Sequence, residues 1–223
     1  GYVGTEQAAP ILLHGLSKLE YRGYDSAGLA VRDGVKNVEI VKAKGRLKVL
    51  AEKTNDGKAL VGTCGIGHTR WATHGEPSDI NSHPHGSKRV SIVHNGIIEN
   101  FKELREKLEK KGCTFRSQTD TETVAHLIAT KFAETNDLTE AVRLATKEIE
   151  GAYALCVIHQ DVKDTIVATR RNAPLLVGLG ENEYYIASDV PAIIQHTKKA
   201  MYIDDNQIVT VTPNSMKLID IDN

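Results

Sequence analysis

Arg70 stands in the stretch HTRWATHGEP, residues 68–77, whose residue types are suited to holding a small polar ligand. A guanidinium offers a planar fork of donors, so an arginine at a strand end is suited to binding an α-carboxylate. The alternative for a lone arginine is a structural salt bridge or a solvated side chain. Trp71 would form a pocket wall or only pack. Thr73 and His74 would donate to a ligand or stabilise a turn.

Asp120 lies just inside the start of a predicted helix, where the helix dipole stabilises a carboxylate. That structural interpretation is sufficient by itself. The functional alternative is a carboxylate that binds an ammonium group. Arg70 and Asp120 together would then recognise both charged ends of an amino-acid backbone, provided that the fold brings them together.

The pair Asn95-Gly96 closes a run that looks like a buried strand. Asn-Gly is a favoured turn pair, so the local pattern predicts a turn. The functional alternative is an oxyanion hole, in which a side-chain amide and a backbone N–H face a developing negative oxygen. Each such donor typically stabilises the transition state by ~3 kcal/mol.

Five of the nine histidines lie between residues 68 and 94, which raises the question of a metal site. They are His68, His74, His83, His85 and His94. They form no H-E-x-x-H pattern, and the H-P-H stretch lies in a loop interrupted by proline. Zinc and iron sites need several convergent ligands with supporting contacts. We therefore predict no metal site and no cofactor.

The segment EYRGYDSAG, residues 20–28, crowds Arg22, Asp25 and Ser26 into a glycine-flanked turn. Such a turn would order a neighbouring catalytic loop. It would equally serve as a helix stop that is fixed by local hydrogen bonds. The local pattern leaves both interpretations open.

The elements that must position these residues follow from hydrophobic periodicity and capping signals. Helices are predicted over residues 6–23, 45–53, 100–112, 119–134 and 138–151. Strands are predicted at the opening GYVG and over residues 26–34, 37–45, 88–96, 152–158, 164–170, 174–180, 183–189, 206–213 and 215–222, with another starting at residue 64. Thr119 and Glu122 have the spacing of a capping box.

The predicted helices precede most of the strands, which favours an α+β fold with substantial antiparallel sheet over alternating βαβ units. No linker or internal repeat divides the chain, so we expect one domain over residues 1–223. The last strands run to IDIDN without a clear stop. We therefore expect the domain to be part of a longer protein.

Composition narrows the class of protein. The chain is 40% hydrophobic and 26% charged with a net charge of −1, so no global field favours nucleic acid or an anionic membrane. No apolar run approaches the roughly 20 residues that cross a bilayer, and no segment resembles a signal peptide. Three cysteines without close spacing argue against a disulfide framework. We expect a globular cytoplasmic protein.

Taken in order, four blocks of sequence resemble a known family. The blocks EYRGYDSAG, HTRWATHG, HNGIIEN and TDTE, within residues 20–122, are similar in order and spacing to the class II glutamine amidotransferase domain. The later runs RRNAPLLVGLG and YIASD also fit that family. The resemblance therefore covers essentially the whole chain.

The resemblance implies a fold and a reaction. The fold would be that of the N-terminal nucleophile hydrolases, an αββα four-layer sandwich with two antiparallel sheets. The reaction would be hydrolysis of glutamine to glutamate and ammonia by a mature N-terminal cysteine. In that scheme the thiolate attacks the side-chain amide and the α-amino group of the same cysteine is the general base.

The resemblance also implies roles for single residues. Arg70 would bind the α-carboxylate of L-glutamine and Asp120 its α-ammonium group. The glutamine-covering loop would contain Trp71, Thr73 and His74. Asn95 and Gly96 would supply the oxyanion hole. Arg22 and His83 would have supporting roles.

One departure concerns the nucleophile. Family members begin with a cysteine followed by a strand like Gly-Ile-Val-Gly, whereas the present sequence starts at Gly1-Tyr2-Val3-Gly4. We expect a segment such as Cys-Gly-Ile-Val just before Gly1 in the natural polypeptide. Cys64, Cys113 and Cys156 are expected to be structural thiols. The alternative is a non-catalytic glutamine-binding domain that lacks the nucleophile.

Within the family, two branches fit the blocks differently. The resemblance is greater to the branch that passes ammonia to fructose 6-phosphate through sugar isomerase domains outside this chain. The amidophosphoribosyltransferase branch is the alternative, but it usually has H-R-G-Q-E-S-A-G where this chain has YRGYDSAG. The implied partners are L-glutamine, fructose 6-phosphate and a second copy in a full-length homodimer, with neither nucleic acid nor membrane.

Overall fold

A computed structural model describes residues 1–87 and 89–222. The α-helices are α1 (Ala8–Ser17), α2 (Leu47–Lys53), α3 (Phe101–Lys110), α4 (Asp120–Thr135) and α5 (Leu138–Thr146). The strands are β1 (Tyr2–Val3), β2 (Ser26–Arg32), β3 (Val38–Lys44), β4 (Cys64–Arg70), β5 (His85–Ser87), β6 (Val90–Ile98), β7 (Gly151–His159), β8 (Ile166–Arg171), β9 (Leu176–Gly180), β10 (Glu183–Ala187), β11 (Ala200–Tyr202), β12 (Gln207–Thr212) and β13 (Ser215–Asp220). Short 3-10 turns cover Glu20–Arg22 and Val190–Ala192.

The strands form two antiparallel sheets. The seven-stranded sheet has the order β11-β9-β10-β1-β4-β2-β3, and the six-stranded sheet has the order β13-β12-β8-β7-β6-β5. An apolar layer that includes Ile66, Ile158 and Val209 lies between them. Because side chains alternate along a strand, each sheet has a second face that helices must cover.

Helices cover both outer faces. Leu12 of α1 and Leu50 of α2 pack with Leu29 of the seven-stranded sheet. The helices α3, α4 and α5 pack in the same way against the six-stranded sheet. The molecule is therefore an αββα four-layer sandwich, which confirms the predicted fold class.

The strongest sequence signals for helices are confirmed. In α3, Leu104 and Leu108 are the buried residues, as the amphipathic pattern predicts. Thr119 caps α4 by accepting a hydrogen bond from the backbone N–H of Glu122. Only this half of the capping box forms, because the Glu122 carboxylate accepts hydrogen bonds from Arg116 and Ser117 instead.

Two predicted helix ends are wrong. The helix predicted to stop at Gly23 ends at Ser17, where Leu19 N–H donates to Leu16 O and a 3-10 turn follows. The helix predicted to end near Gly151 ends at Thr146. Gly151 instead begins β7 with a φ of +114°, a conformation that glycine adopts without strain.

The turn predicted at Asn95-Gly96 is also wrong. Strand β6 continues through both residues to Ile98, and Gly96 lies opposite Tyr153 of β7. Gly96 has a φ of +104°, and an added Cβ would lie 2.1 Å from Ala152 O. The strand predicted over residues 88–96 begins at a residue outside the described ranges, and the short strands β5 and β11 were not predicted.

Candidate active site

The sequence-predicted residues converge on one cavity of about 280 Å³. It opens where β4 ends, alongside the middle of β6 and the first turn of α4. Its lining includes Arg22, Arg70, Trp71, Thr73, His74, His83, Asn95, Gly96 and Asp120. The residues to which the family resemblance assigned roles therefore meet in space, although they come from five separate stretches of the chain.

Arg70 is the last residue of β4 and is only 3% exposed. Its Nη2 donates to the backbone oxygens of His74 at 2.5 Å and Gly75 at 2.8 Å. Burial lowers the pKa of the guanidinium, and the charges of Asp25 and Asp120 oppose that shift. Arg70 is thus a buried cation that faces the cavity and holds the following loop.

Asp120 occupies the first turn of α4 and is also 3% exposed. Its Oδ2 accepts a hydrogen bond from the backbone N–H of Ile98 at 2.9 Å. This contact ties the positive end of α4 to the end of β6. The cavity therefore contains a cation and an anion on different elements, as recognition of an amino acid requires.

The loop after β4 is anchored at its start by Asp25. The Asp25 carboxylate accepts hydrogen bonds from the backbone N–H of Ala72 and from the Ser26 hydroxyl. The backbone N–H of Asp25 donates to Arg70 O at 3.1 Å. The turn at residues 20–28 therefore orders the neighbouring loop. This was the first of the two alternatives that the sequence left open for the turn.

Two further predicted residues lie at the cavity mouth. Trp71 is 62% exposed and packs edge-on against Tyr24, with ring centroids 5.5 Å apart. Arg22 lines the same cavity. Its Nη1 lies 3.7 Å from Asp189 Oδ2, in the segment that follows β10.

Behind the cavity lies a buried layer of histidines. His68 and His83 stack with ring centroids 4.1 Å apart, and His85 meets His83 edge-on. Burial lowers the pKa of His68 to about 4 and that of His85 to about 3, so both are neutral at pH 7. Across residues 1–87 and 89–222, no group of three or more His, Cys, Asp or Glu has an arrangement that could hold a metal ion.

Sequence reasoning did not assign a role to His68, although a signal was present. His68 and Arg70 are two positions apart on β4, so they share one face of the sheet. His68 Nε2 lies 2.8 Å from Asn95 Oδ1 across the two sheets. The contact links two of the blocks that the sequence had placed in the same site.

Comparison of the sequence with known protein families identifies the family of this chain. The sequence model of the family "glutamine amidotransferase domain" matches residues 36–220. This chain belongs to that family. The residues that converge on the cavity are therefore those of a glutamine amidotransferase domain.

Curated relatives of this amidotransferase domain are longer proteins. The glutamine–fructose-6-phosphate aminotransferase (isomerizing) of Clostridium tetani is 53% identical over 99% of this chain. An enzyme of the same name from Thermus thermophilus is 49% identical over 100% of it. The chain spans 36% of the length of each of these relatives.

Solved structures share the fold of the amidotransferase domain. The glutamine phosphoribosylpyrophosphate amidotransferase of B. subtilis superposes with a TM-score of 0.84 at 26% identity. The superposition covers 99% of this chain and 48% of that one. A class II glutamine aminotransferase domain protein from Silicibacter pomeroyi, at 14% identity and a TM-score of 0.65, shares the fold alone.

The cysteines of the amidotransferase domain are free thiols. Burial raises the pKa of Cys64 to about 12 and also raises that of Cys156. A protonated thiol is a poor nucleophile, so these environments fit structural cysteines. No helix in the described ranges is long and apolar enough to cross a membrane.

Proposed function

We propose that this domain hydrolyses L-glutamine to glutamate and ammonia. The observation that carries the proposal is the convergence of Arg70, Asp120 and Asn95 on one cavity. A buried cation and a buried anion match the two charged groups of an amino-acid backbone. An amide donor lies in the same cavity, where a side-chain carbonyl would react.

Substrate binding follows from these charges. Arg70 would pair with the α-carboxylate through the guanidinium N–H groups that the loop carbonyls leave free, and Asp120 would accept hydrogen bonds from the α-ammonium group. Trp71, Thr73 and His74, on the loop that Arg70 holds, would cover the bound glutamine. Because one guanidinium serves both loop and ligand, loop order and glutamine binding would be coupled. Arg22 and His83 would support this arrangement from the cavity wall.

Asn95 and Gly96 would stabilise the tetrahedral intermediate. The Asn95 side chain lines the cavity, and within the described residues its Nδ2 donates to no protein group. That amide is therefore available to donate to the oxyanion that forms when the glutamine amide is attacked. The Gly96 backbone N–H would be the second donor.

The register of β1 supports a nucleophile upstream of Gly1. In β1, Tyr2 lies opposite Gly65 and Val3 opposite Cys64, so each step back along β1 moves one residue forward along β4. Continued in the same register, the fourth residue before Gly1 would lie opposite Arg70. In a segment Cys-Gly-Ile-Val that residue is the cysteine. Its thiolate would attack the amide carbon, and its α-amino group would take up the thiol proton.

The full-length protein would use the ammonia. We place this domain, residues 1–223, in a glutamine–fructose-6-phosphate aminotransferase whose sugar isomerase domains lie outside the present chain. Identity near 50% to enzymes of that name supports this branch over the phosphoribosylpyrophosphate enzyme at 26%. The protein would act as a homodimer in the cytoplasm, a reducing compartment that fits its free thiols.

The test is labelling of the natural full-length polypeptide with an alkylating glutamine analogue, together with N-terminal sequencing. We expect glutamine hydrolysis that the analogue abolishes and a labelled cysteine four residues before Gly1. Label on Cys64, Cys113 or Cys156 would overturn the nucleophile assignment. Glutamine binding without hydrolysis would favour the non-catalytic alternative.

A second measurement separates the two branches. The same protein is supplied with glutamine and either fructose 6-phosphate or phosphoribosyl pyrophosphate. We expect amino-sugar phosphate only from fructose 6-phosphate. Glutamine consumption that depends on phosphoribosyl pyrophosphate instead would assign the chain to the amidophosphoribosyltransferase branch.

A further inference from the structure

His68 reaches Asn95 from the opposite sheet. His68 lies in β4 of the seven-stranded sheet and Asn95 in β6 of the six-stranded sheet. Their side chains meet with Nε2 and Oδ1 2.8 Å apart. Within the described residues, this is the one hydrogen bond of the Asn95 side chain. His68 is therefore the group that defines the orientation of the Asn95 amide.

The orientation of that amide decides what it presents to the cavity. When Oδ1 accepts from His68, the NH₂ group points toward the cavity and donates. When the amide is reversed, Nδ2 donates to His68 and Oδ1 faces the cavity. A carbonyl oxygen there would repel a developing oxyanion in place of stabilising it. The position of the proton on the His68 ring thus determines whether Asn95 presents its NH₂ group or its carbonyl oxygen to the oxyanion.

The surroundings of His68 are compatible with a neutral ring that donates through Nε2. The ring is 9% exposed, and burial lowers its pKa to about 4, so it is neutral at pH 7 and carries one ring proton. The stacked ring of His83, 13° from parallel, fixes the imidazole plane. His68 Nδ1 is buried and makes no hydrogen bond within the described residues, as suits the bare nitrogen of an Nε2–H tautomer.

We propose that His68 is a positioning residue for glutamine hydrolysis, which donates through Nε2 to Asn95 Oδ1 and so keeps the Asn95 amide directed at the oxyanion. The inference rests on the proposed function. Donation into Oδ1 also polarises the amide, because linked hydrogen bonds strengthen one another. In this proposal Arg70 and Asp120, and not His68, bind the two charged groups of glutamine. The contribution of His68 should therefore appear in kcat and not in KM for glutamine.

The test compares two amide substitutions in the natural full-length polypeptide. In His68→Gln an amide nitrogen occupies the place of Nε2, whereas in His68→Asn the shorter side chain places it near Nδ1. We expect His68→Asn to lower kcat about 100-fold, at the lower end of the range for loss of an oxyanion donor, with KM for glutamine little changed. His68→Gln should stay within about threefold of the unmodified protein. Thermal melting checks that both variants fold.

A double-substitution cycle shows whether His68 acts through Asn95. In an Asn95→Ala background, His68→Asn should cause no further loss of kcat, because the amide that it orients is gone. Equal kcat for the Gln and Asn variants, a rise in KM in place of the fall in kcat, or losses that multiply independently would overturn the proposal. Absence of glutamine hydrolysis in the unmodified protein would instead overturn the proposed function.

A measurement on the unmodified protein covers the case in which the variants fail to fold. Nitrogen-15 NMR of the His68 ring distinguishes the two neutral tautomers. We expect a protonated Nε2 and a bare Nδ1 at pH 7. A bare Nε2 would contradict the proposal.

Discussion

Arg70 Nη2 donates a hydrogen bond to the backbone oxygen of His74 at 2.5 Å. The cation proposed to bind the substrate carboxylate therefore also fixes the loop proposed to cover it. Gly75 O accepts from the same nitrogen at 2.8 Å. Under the proposed function, a single side chain would thus connect the loop and the ligand.

Replacement of Arg70 by Ala should raise KM for glutamine steeply, by about 100-fold, because a charge-assisted pair and the loop anchor are lost together. Steady-state kinetics on the full-length polypeptide measure the change. Arg70→Lys keeps the positive charge but lacks the planar guanidinium. Its KM for glutamine should therefore lie between that of the unmodified protein and that of Arg70→Ala. An unchanged KM in Arg70→Ala would refute the role of Arg70.

Asp120→Asn should raise KM for glutamine by about 10-fold or more, because a neutral amide no longer attracts the α-ammonium group. The amide oxygen still accepts the Ile98 N–H, so folding should be retained. Asp137→Asn is the matched control, since Asp137 caps α5 and does not line the cavity. Equal effects of the two substitutions on KM would contradict the assignment.

Gly96→Ala should destabilise the fold by roughly 2–4 kcal/mol, because the backbone at φ +104° is strained for alanine and the methyl group would meet Ala152 O. Urea unfolding measures the loss. Gly34→Ala is the control, since an added Cβ there meets nothing within 4 Å. Equal stability of the two variants would show that β6 tolerates a side chain at this position.

The buried histidines should make stability depend on pH. Burial lowers the folded-state pKa of His85 to about 3, against roughly 6.5 in the unfolded chain. The unfolded state therefore binds the proton first as pH falls, so stability is full above pH ~6.5 and declines toward pH ~3. His68, whose pKa is about 4, contributes in the same direction.

The substitution His85→Gln removes one of the groups that make stability depend on pH, so it isolates the contribution of His85. Between pH 6 and pH 4 the slope of unfolding free energy against pH should fall by up to about 1.4 kcal/mol per pH unit. Urea unfolding at several pH values supplies the slope. A slope unchanged by the substitution would mean that His85 is protonated in the folded state.

Local signals in the sequence predicted most of the helices and strands. The strands predicted over residues 26–34 and 37–45 form the antiparallel pair β2 and β3, and Thr119 of the predicted capping box caps α4. These features depend on neighbours within a few residues. The convergence of Arg70, Asp120 and Asn95 was a hypothesis from the family resemblance, since spacing alone does not bring three segments together.

The errors arose where distant contacts override local preference. Asn95-Gly96 has the composition of a turn, but pairing with β7 keeps both residues in a strand. The anchoring of Ala72 by Asp25 and the contact of His68 with Asn95 join segments that are far apart in sequence. Such contacts depend on how the sheets stack, which periodicity in one strand does not encode.

Strand β1 has a further consequence for the seven-stranded sheet. Tyr2 and Val3 are 0% exposed and lie between β4 and β10, in the interior of that sheet. Through this two-residue strand, β11, β9 and β10 are hydrogen-bonded to β4, β2 and β3. Substitutions that loosen Tyr2 or Val3 would therefore let the two halves of the sheet separate.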